Sequence, residues 1–173
     1  MTTFGDRLTE QTRLRATPLC VGFDPFPDLI PSLFGPKGEL ETLERFFSAV
    51  IEELAGKVPI VKPQIGLFEP WGADGVALTG KLARFALDQN LMVLIDAKRG
   101  DIGATAEQYA IEAFERYGAD AVTLSPFMGF DSVQPYLQYA GKGAFLLCRT
   151  SNPGGDDLQN QRLASVEGQP LLY

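Results

Sequence analysis

The chain has 173 residues, 45% hydrophobic and 21% charged, with a formal net charge of −7, the size and composition of one globular domain, 1–173, with a core of its own. That acidic balance repels nucleic acid and anionic membrane, so neither is expected as a partner; a small anionic substrate responds to local charge and stays admissible. There is no histidine, which removes Ser-His-Asp and Cys-His nucleophile pairs and histidine metal sites, and leaves acid–base work to carboxylates, lysines and tyrosines.

The first 18 residues, MTTFGDRLTEQTRLRATP, contain no apolar core of a signal peptide, and no apolar run could span a bilayer, so a cytoplasmic protein is expected. After a leading helix, PLCVGF (18–23) is the first expected strand. A helix follows over 39–56, with Leu40, Leu43, Phe46/Phe47, Val50/Ile51 and Leu54 at helical spacing and Glu41, Glu44, Glu52 and Glu53 on other faces. VPIVK (58–62) is the second strand, 73–90 a helix, and LMVLID (91–96) the third strand. Residues 102–117 repeat the helical spacing through Ala106, Tyr109/Ala110, Ala113/Phe114 and Tyr117. ADAVTLS (119–125), a helix over 131–140, and GAFLLC (143–148) complete the series. Asn90 and Gly118 suit helix ends. Cys20 and Cys148 lie in apolar runs and are expected as buried, reduced thiols. The strands read as continuous rather than alternating apolar runs, as parallel strands buried on both faces do. The class is α/β.

Each expected strand ends in polar groups: Asp24; Lys62; Asp96 and Lys98; Ser125; Arg149, Thr150 and Ser151. A TIM barrel builds its site from many strand ends, whereas a doubly wound sheet concentrates it at one switch point. The distribution favours the barrel. A barrel needs eight strands and about 250 residues, and only five strands are found. The expected fold is therefore the N-terminal portion of a TIM (β/α)8 barrel, truncated after its first five strands, with PLLY (170–173) opening another helix. The first and fifth strands would then be unpaired edges.

The densest chemistry lies in LMVLIDAKRGDIGAT (91–105). Strand alternation puts Asp96 and Lys98 on one face with Leu94. Turned toward the barrel axis at the open rim, they would pair with each other and with whatever fills the mouth; a solvent-exposed ion pair is the plainer alternative. Asp101 could serve the site or simply cap the helix after it. Arg99 points the other way and reads as structural or surface. Asp24 could serve a site or set the turn before Pro25, Lys62 could do so or snorkel from its strand end, and SNPGG (151–155) is turn chemistry by composition. Trp71 reads as packing. There is no P-loop, Gly141-Lys142-Gly143 is no dinucleotide fingerprint, and no metal-ligand cluster is visible.

Asp96-Ala-Lys98-Arg-Gly-Asp101-Ile102-Gly-Ala-Thr105 resembles the D-x-K-x-x-D-I-x-x-T motif of the orotidine 5′-phosphate decarboxylase family. CVGFDP (20–25), VKPQIGLFEPWG (61–72) and TSNPGG (150–155) are similar to its bacterial long-form branch, in the same order, so the resemblance covers essentially the whole chain. It implies a homodimeric TIM barrel that needs no cofactor or metal and converts orotidine 5′-phosphate to UMP in pyrimidine biosynthesis. By resemblance, Asp24 and Lys62 bind ribose hydroxyls and join the charge network. Asp96 faces the substrate carboxylate, and Lys98 protonates C6. Asp101, Ile102 and Thr105 reach the neighbouring subunit's site, and Ser151 touches the pyrimidine edge. The family's phosphate grip lies in the last strands, so no phosphate-binding residue is assigned. Two other readings stay open: the Mg²⁺-dependent sugar-phosphate branch of the same superfamily, which keeps D-x-K-x-x-D, and an inactive barrel fragment.

Overall fold

The computed structural model describes residues 2–161, and the expected helix at PLLY lies outside them. In chain order the elements are α1 (Phe4–Arg15), β1 (Cys20–Phe23), α2 (Leu40–Leu54), β2 (Ile60–Pro63), the short α3 (Ile65–Phe68), α4 (Gly72–Asp88) and β3 (Met92–Arg99). Then come α5 (Gly103–Ile111), β4 (Ala121–Leu124), α6 (Gln134–Leu137), β5 (Gly143–Leu146) and α7 (Asp156–Gln159). The five strands form one parallel sheet in the order β1-β2-β3-β4-β5. Each strand lies beside its predecessor, with no reversal of order. This is the winding of a (β/α)8 barrel and not of a doubly wound sheet, so the expected architecture holds.

Register explains how one sheet carries two surfaces. Val21, Phe23, Val61, Val93, Ile95, Val122 and Leu124 face the helices in the main core. α2 contributes Leu43, Phe47 and Ile51 to it, and α4 contributes Leu78, Leu82, Ala83 and Ala86. Each fully buried Leu, Ile or Phe stabilises this layer by about 1.5–3 kcal/mol. The concave face carries the alternate residues. At its N-terminal end Ile60, Met92, Leu94 and Ala121 form a second apolar cluster, covered by Phe4 and Leu8 of α1.

Helix α1 starts with a reciprocal capping box: Asp6 N donates to Thr3 Oγ1 at 3.1 Å, and Thr3 N to Asp6 Oδ2 at 3.0 Å. Arg7 then ties it to the sheet. Its guanidinium donates to Asp120 Oδ1 at 2.6 Å and to the Gly141 carbonyl at 2.9 Å, while Asp120 Oδ2 accepts the Val93 amide at 2.9 Å. One strand end is therefore sealed, and the other carries the polar groups.

Several expectations need correction. Cys20 and Cys148 are exposed: Cys20 opens the edge strand β1, and Cys148 lies past the end of β5, so apolar neighbours in sequence do not cover them. The helix expected over 131–140 is a 3₁₀ turn, Phe130–Ser132, followed by four residues of α6. Pro135 permits a helix start there but not a helix running through it. The helix expected over 102–117 is α5 continued by a π-helical turn, Glu112–Arg116. Asn90 (φ 59°) and Gly118 (φ 71°) do lie just past helix ends, in the left-handed conformation that stops a helix.

Candidate active site

Asp96 sits on the concave face where β3 leaves the apolar cluster, and it is 6% exposed. Four side chains donate to its carboxylate. Lys62 Nζ lies 2.7 Å and Gln64 Nε2 3.2 Å from Oδ2; Lys98 Nζ lies 2.5 Å and Thr123 Oγ1 2.9 Å from Oδ1. β2, β3 and β4 each contribute, and Gln64 joins by bridging to Asp96 one residue past Pro63. Two ammonium groups share one carboxylate, so the cluster carries net positive charge. Lys98 is its most exposed member, with 47% of its side chain accessible against 29% for Lys62 and 9% for Asp96.

Burial alone would push the Asp96 carboxyl up. Hydrogen bonds from Lys62, Lys98 and Thr123, with the charge of Lys62, outweigh it and hold the group below the usual carboxylate range. A carboxyl whose folded value is depressed contributes stability above its unfolded value, near pH 4, and that contribution is lost as pH falls through the folded value. Urea midpoints measured from pH 6 to pH 2 should therefore drop more steeply for the wild-type chain than for Asp96→Asn. Superimposable acid limbs would show that Asp96 carries no such linkage.

The backbone here is not a regular strand. Between the pairs Ile95–Val122 and Arg99–Leu124, β3 advances four residues and β4 only two. This bulge puts Lys98 at φ 47°, a conformation β-strand residues do not adopt. Thr123 Oγ1 accepts the amides of Ala97 and Lys98 at 3.0 and 2.9 Å. The expected pairing of Asp96 with Lys98 is thus present, but Lys98 reaches Asp96 across a bulge and not by simple alternation.

Asp24 is exposed at the end of β1, and its carboxylate folds back over Gly22, whose partner across the ladder is Lys62. A Cβ on Gly22 would lie 2.7 Å from Asp24 Oδ2, so any other residue there would make that carboxylate swing aside. Asp101 Oδ1 accepts the Ile102 amide at 2.8 Å, yet Ile102 is the N-cap residue of α5 and no side chain caps the helix. Asp101 is therefore not the helix cap. Ile102 and Thr105 are exposed beside it, and Ser151 is exposed beyond β5. The chain brings Lys62, Asp96 and Lys98 together; Asp101, Ile102, Thr105 and Ser151 make no hydrogen bond to this cluster among the described residues. Sequence reasoning missed Gln64 and Thr123. Both continue the concave face, Gln64 two residues after Lys62 and Thr123 two after Ala121, and that parity was the available signal.

Segment 149–160 closes on itself beside the sheet. Thr150 N donates to Gln159 Oε1 and Gln159 Nε2 to Thr150 Oγ1, both at 2.8 Å, and Arg149 pairs with Asp156. A cavity of about 210 Å³ lies between this segment and the end of β4, lined in part by Ser125, Phe127, Leu147 and Gln159. Among the described residues no group of three or more Cys, Asp or Glu side chains is placed to hold a metal ion. No helix there is long and apolar enough to cross a membrane.

The chain is 59% identical to an orotidine 5′-phosphate decarboxylase of Verminephrobacter eiseniae over 172 residues, 98% of this chain and 61% of the relative. It is 58% identical to the Polaromonas naphthalenivorans protein of the same name, over 99% of this chain and 60% of the relative. The structure of Leishmania donovani OMP decarboxylase superposes with a TM-score of 0.77 at 38% identity, covering 94% of this chain and 60% of that one. The chain thus spans about three fifths of the length of these relatives. Residues 17–169, a stretch that holds every side chain of the Asp96 cluster, match the family described as orotidine 5′-phosphate decarboxylase / HUMPS, and the chain belongs to that family.

Proposed function

We propose that the protein carrying this chain decarboxylates orotidine 5′-phosphate to UMP, with Lys98 as proton donor. The observation that carries this reading is the Lys98 ammonium held 2.5 Å from the buried Asp96 carboxylate at the mouth of the sheet. When CO₂ leaves, the electron pair of the broken C–C bond stays on C6. A cation poised there stabilises that charge as it develops, then gives C6 a proton and recovers one from solvent. Asp96 faces the departing carboxylate. Two like charges about 4 Å apart at an effective dielectric of about 20 repel by about 4 kcal/mol, or roughly 10³ in rate. Enzyme accelerations begin at about 10⁶, so repulsion is a minor part, and transition-state stabilisation with remote binding energy supplies the rest.

Lys62 and Asp24 lie at the adjoining rim and are assigned to the ribose hydroxyls. Ser151 is assigned to the pyrimidine edge. Asp101, half-buried, and Ile102 and Thr105, exposed, all outside their own chain's cluster, are assigned to the site of a second subunit, making the enzyme a homodimer with shared sites. No cofactor is invoked, and the working compartment is the cytoplasm. The test is release of labelled CO₂ from carboxyl-labelled orotidine 5′-phosphate, with and without EDTA. One UMP per CO₂ and no effect of EDTA is the expected result. No CO₂, or loss of activity with EDTA restored by Mg²⁺, would refute the reading.

A further inference from the structure

We propose that Arg99 is a positioning residue for Lys98. Its ion pairs on the helix side of the sheet hold the end of β3 in the bulged conformation that aims the Lys98 amine at Asp96. The inference rests on the reading of Lys98 as proton donor.

Lys98 at φ 47° has no intrinsic reason to be there, because the left-handed conformation crowds a Cβ against the next carbonyl. Something must fix the backbone on both sides of it. On the concave side Thr123 Oγ1 takes the amides of Ala97 and Lys98. On the convex side the next residue is Arg99, whose side chain is 17% exposed. Its guanidinium lies 3.0 Å from Glu112 Oε2 and 3.5 Å from Glu69 Oε1, and 4.5 Å from the centre of the Tyr109 ring. Its carbonyl accepts the Ser125 amide at 2.8 Å, restoring the ladder to β4 directly after the bulge.

Both carboxylates come from elements with fixed positions. Glu112 opens the π-helical turn that follows α5, and Tyr117 donates to its other oxygen at 3.3 Å. A π turn inserts a residue into a helix and re-aims the side chains around it, which is why such turns gather at functional places. Glu69 lies in the β2–α4 connection that Gln64 opens, directly after the strand that carries Lys62, so residues 62–69 send Lys62 and Gln64 to Asp96 and Glu69 to Arg99. One segment therefore grips residues 96–99 on both faces: Lys62 and Gln64 hold Asp96 inside, and Glu69 holds Arg99 outside. The task needs arginine. A planar fork can meet two separate carboxylates and an aromatic face at once, and an ammonium cannot.

The test compares Arg99→Met, Arg99→Lys, Glu112→Gln and Glu69→Gln with the wild-type enzyme. It measures kcat, KM and thermal midpoint. Trace acetylation of each lysine, read by mass spectrometry, gives a measure of the Lys98 amine that does not depend on turnover; exposed Lys57 is the internal control. Arg99→Met should lower kcat roughly 10- to 100-fold, as small misplacements of a reacting group do, with KM within about threefold. Acetylation of Lys98 should rise severalfold as it leaves Asp96, with Lys57 unchanged, and Arg99→Lys should fall between. Should Arg99→Met not fold, the two glutamine variants, each removing one arm, must show the same pattern in smaller measure. Wild-type kcat and Lys98 labelling in all variants would overturn the proposal. So would a uniform rise in labelling of every lysine, because that reports general loosening. A wild-type enzyme without decarboxylase activity would refute the reading of Lys98 instead, and the labelling would still decide the clamp.

Discussion

Lys98→Ala is expected to reduce UMP formation by about 10⁴-fold or more while leaving the fold intact. Removing a general acid costs about 10²–10⁴, and removing a preorganised charge at the developing carbanion costs a further 10²–10³ or so. The structure says why the scaffold survives. Lys98 is nearly half exposed, so little packing is lost. Asp96 keeps Lys62, Gln64 and Thr123 as donors. Alanine at φ 47° is no more strained than lysine, and the Thr123 bond to the residue-98 amide is a backbone bond that the substitution does not touch. Circular dichroism and the thermal midpoint should match the wild type, and UMP should bind within a few fold. Turnover within tenfold of wild type would remove Lys98 from the proton-donor role.

Mixing two dead variants is expected to regenerate activity. Among the described residues Asp101 makes no ion pair, and its carboxylate accepts only the Ile102 amide. Ile102, half exposed, and Thr105, exposed, lie beside it. If Asp101 completes the neighbour's site, Lys98→Ala and Asp101→Asn each empty both sites of their own homodimer. A heterodimer of the two has one site lacking both groups and one site with both. With random exchange half the dimers are mixed, so an equimolar sample should recover about a quarter of wild-type activity. Subunit exchange is verified by native mass spectrometry. No recovery in a sample shown to contain heterodimers would place Asp101 in its own chain's site.

The parts legible in the sequence were those written in short-range pattern. Continuous apolar runs ending in polar residues announced parallel strands with a polar rim, and the abrupt change at Asp96 located the centre of the site. What could not be read depended on register. Gln64 and Thr123 are ordinary polar residues until β2, β3 and β4 are aligned. The bulge at Ala97–Lys98 was invisible because alternation assumes one residue against one. Arg99 looked peripheral because its partners, Glu69 and Glu112, lie 30 residues before it and 13 after it. The cysteines misled because an apolar run in sequence shows neither that Cys20 opens an edge strand nor that Cys148 lies beyond the end of β5.

The fastening of α1 bears on how the chain folds during synthesis. Strands wound in sequence order let each unit settle on the one before it as it leaves the ribosome. The first helix is the exception. Arg7 is bound to Asp120, 113 residues later, and to the Gly141 carbonyl, 134 residues later. An early helix is thus fastened only once Asp120 and Gly141 have been made. At translation rates of about 5–20 residues per second, Phe4 and Leu8 wait on the order of 10 seconds before β4 and β5 exist to receive Arg7. Through that interval Phe4 and Leu8 have only Ile60, Met92 and Leu94 to pack against, no ion pair holds the helix there, and the part of Phe4 that Phe145 later meets stays exposed. Arg7→Ala should leave the mature site untouched while lengthening that exposure, so its cost would be read in the soluble yield from cells and not in turnover.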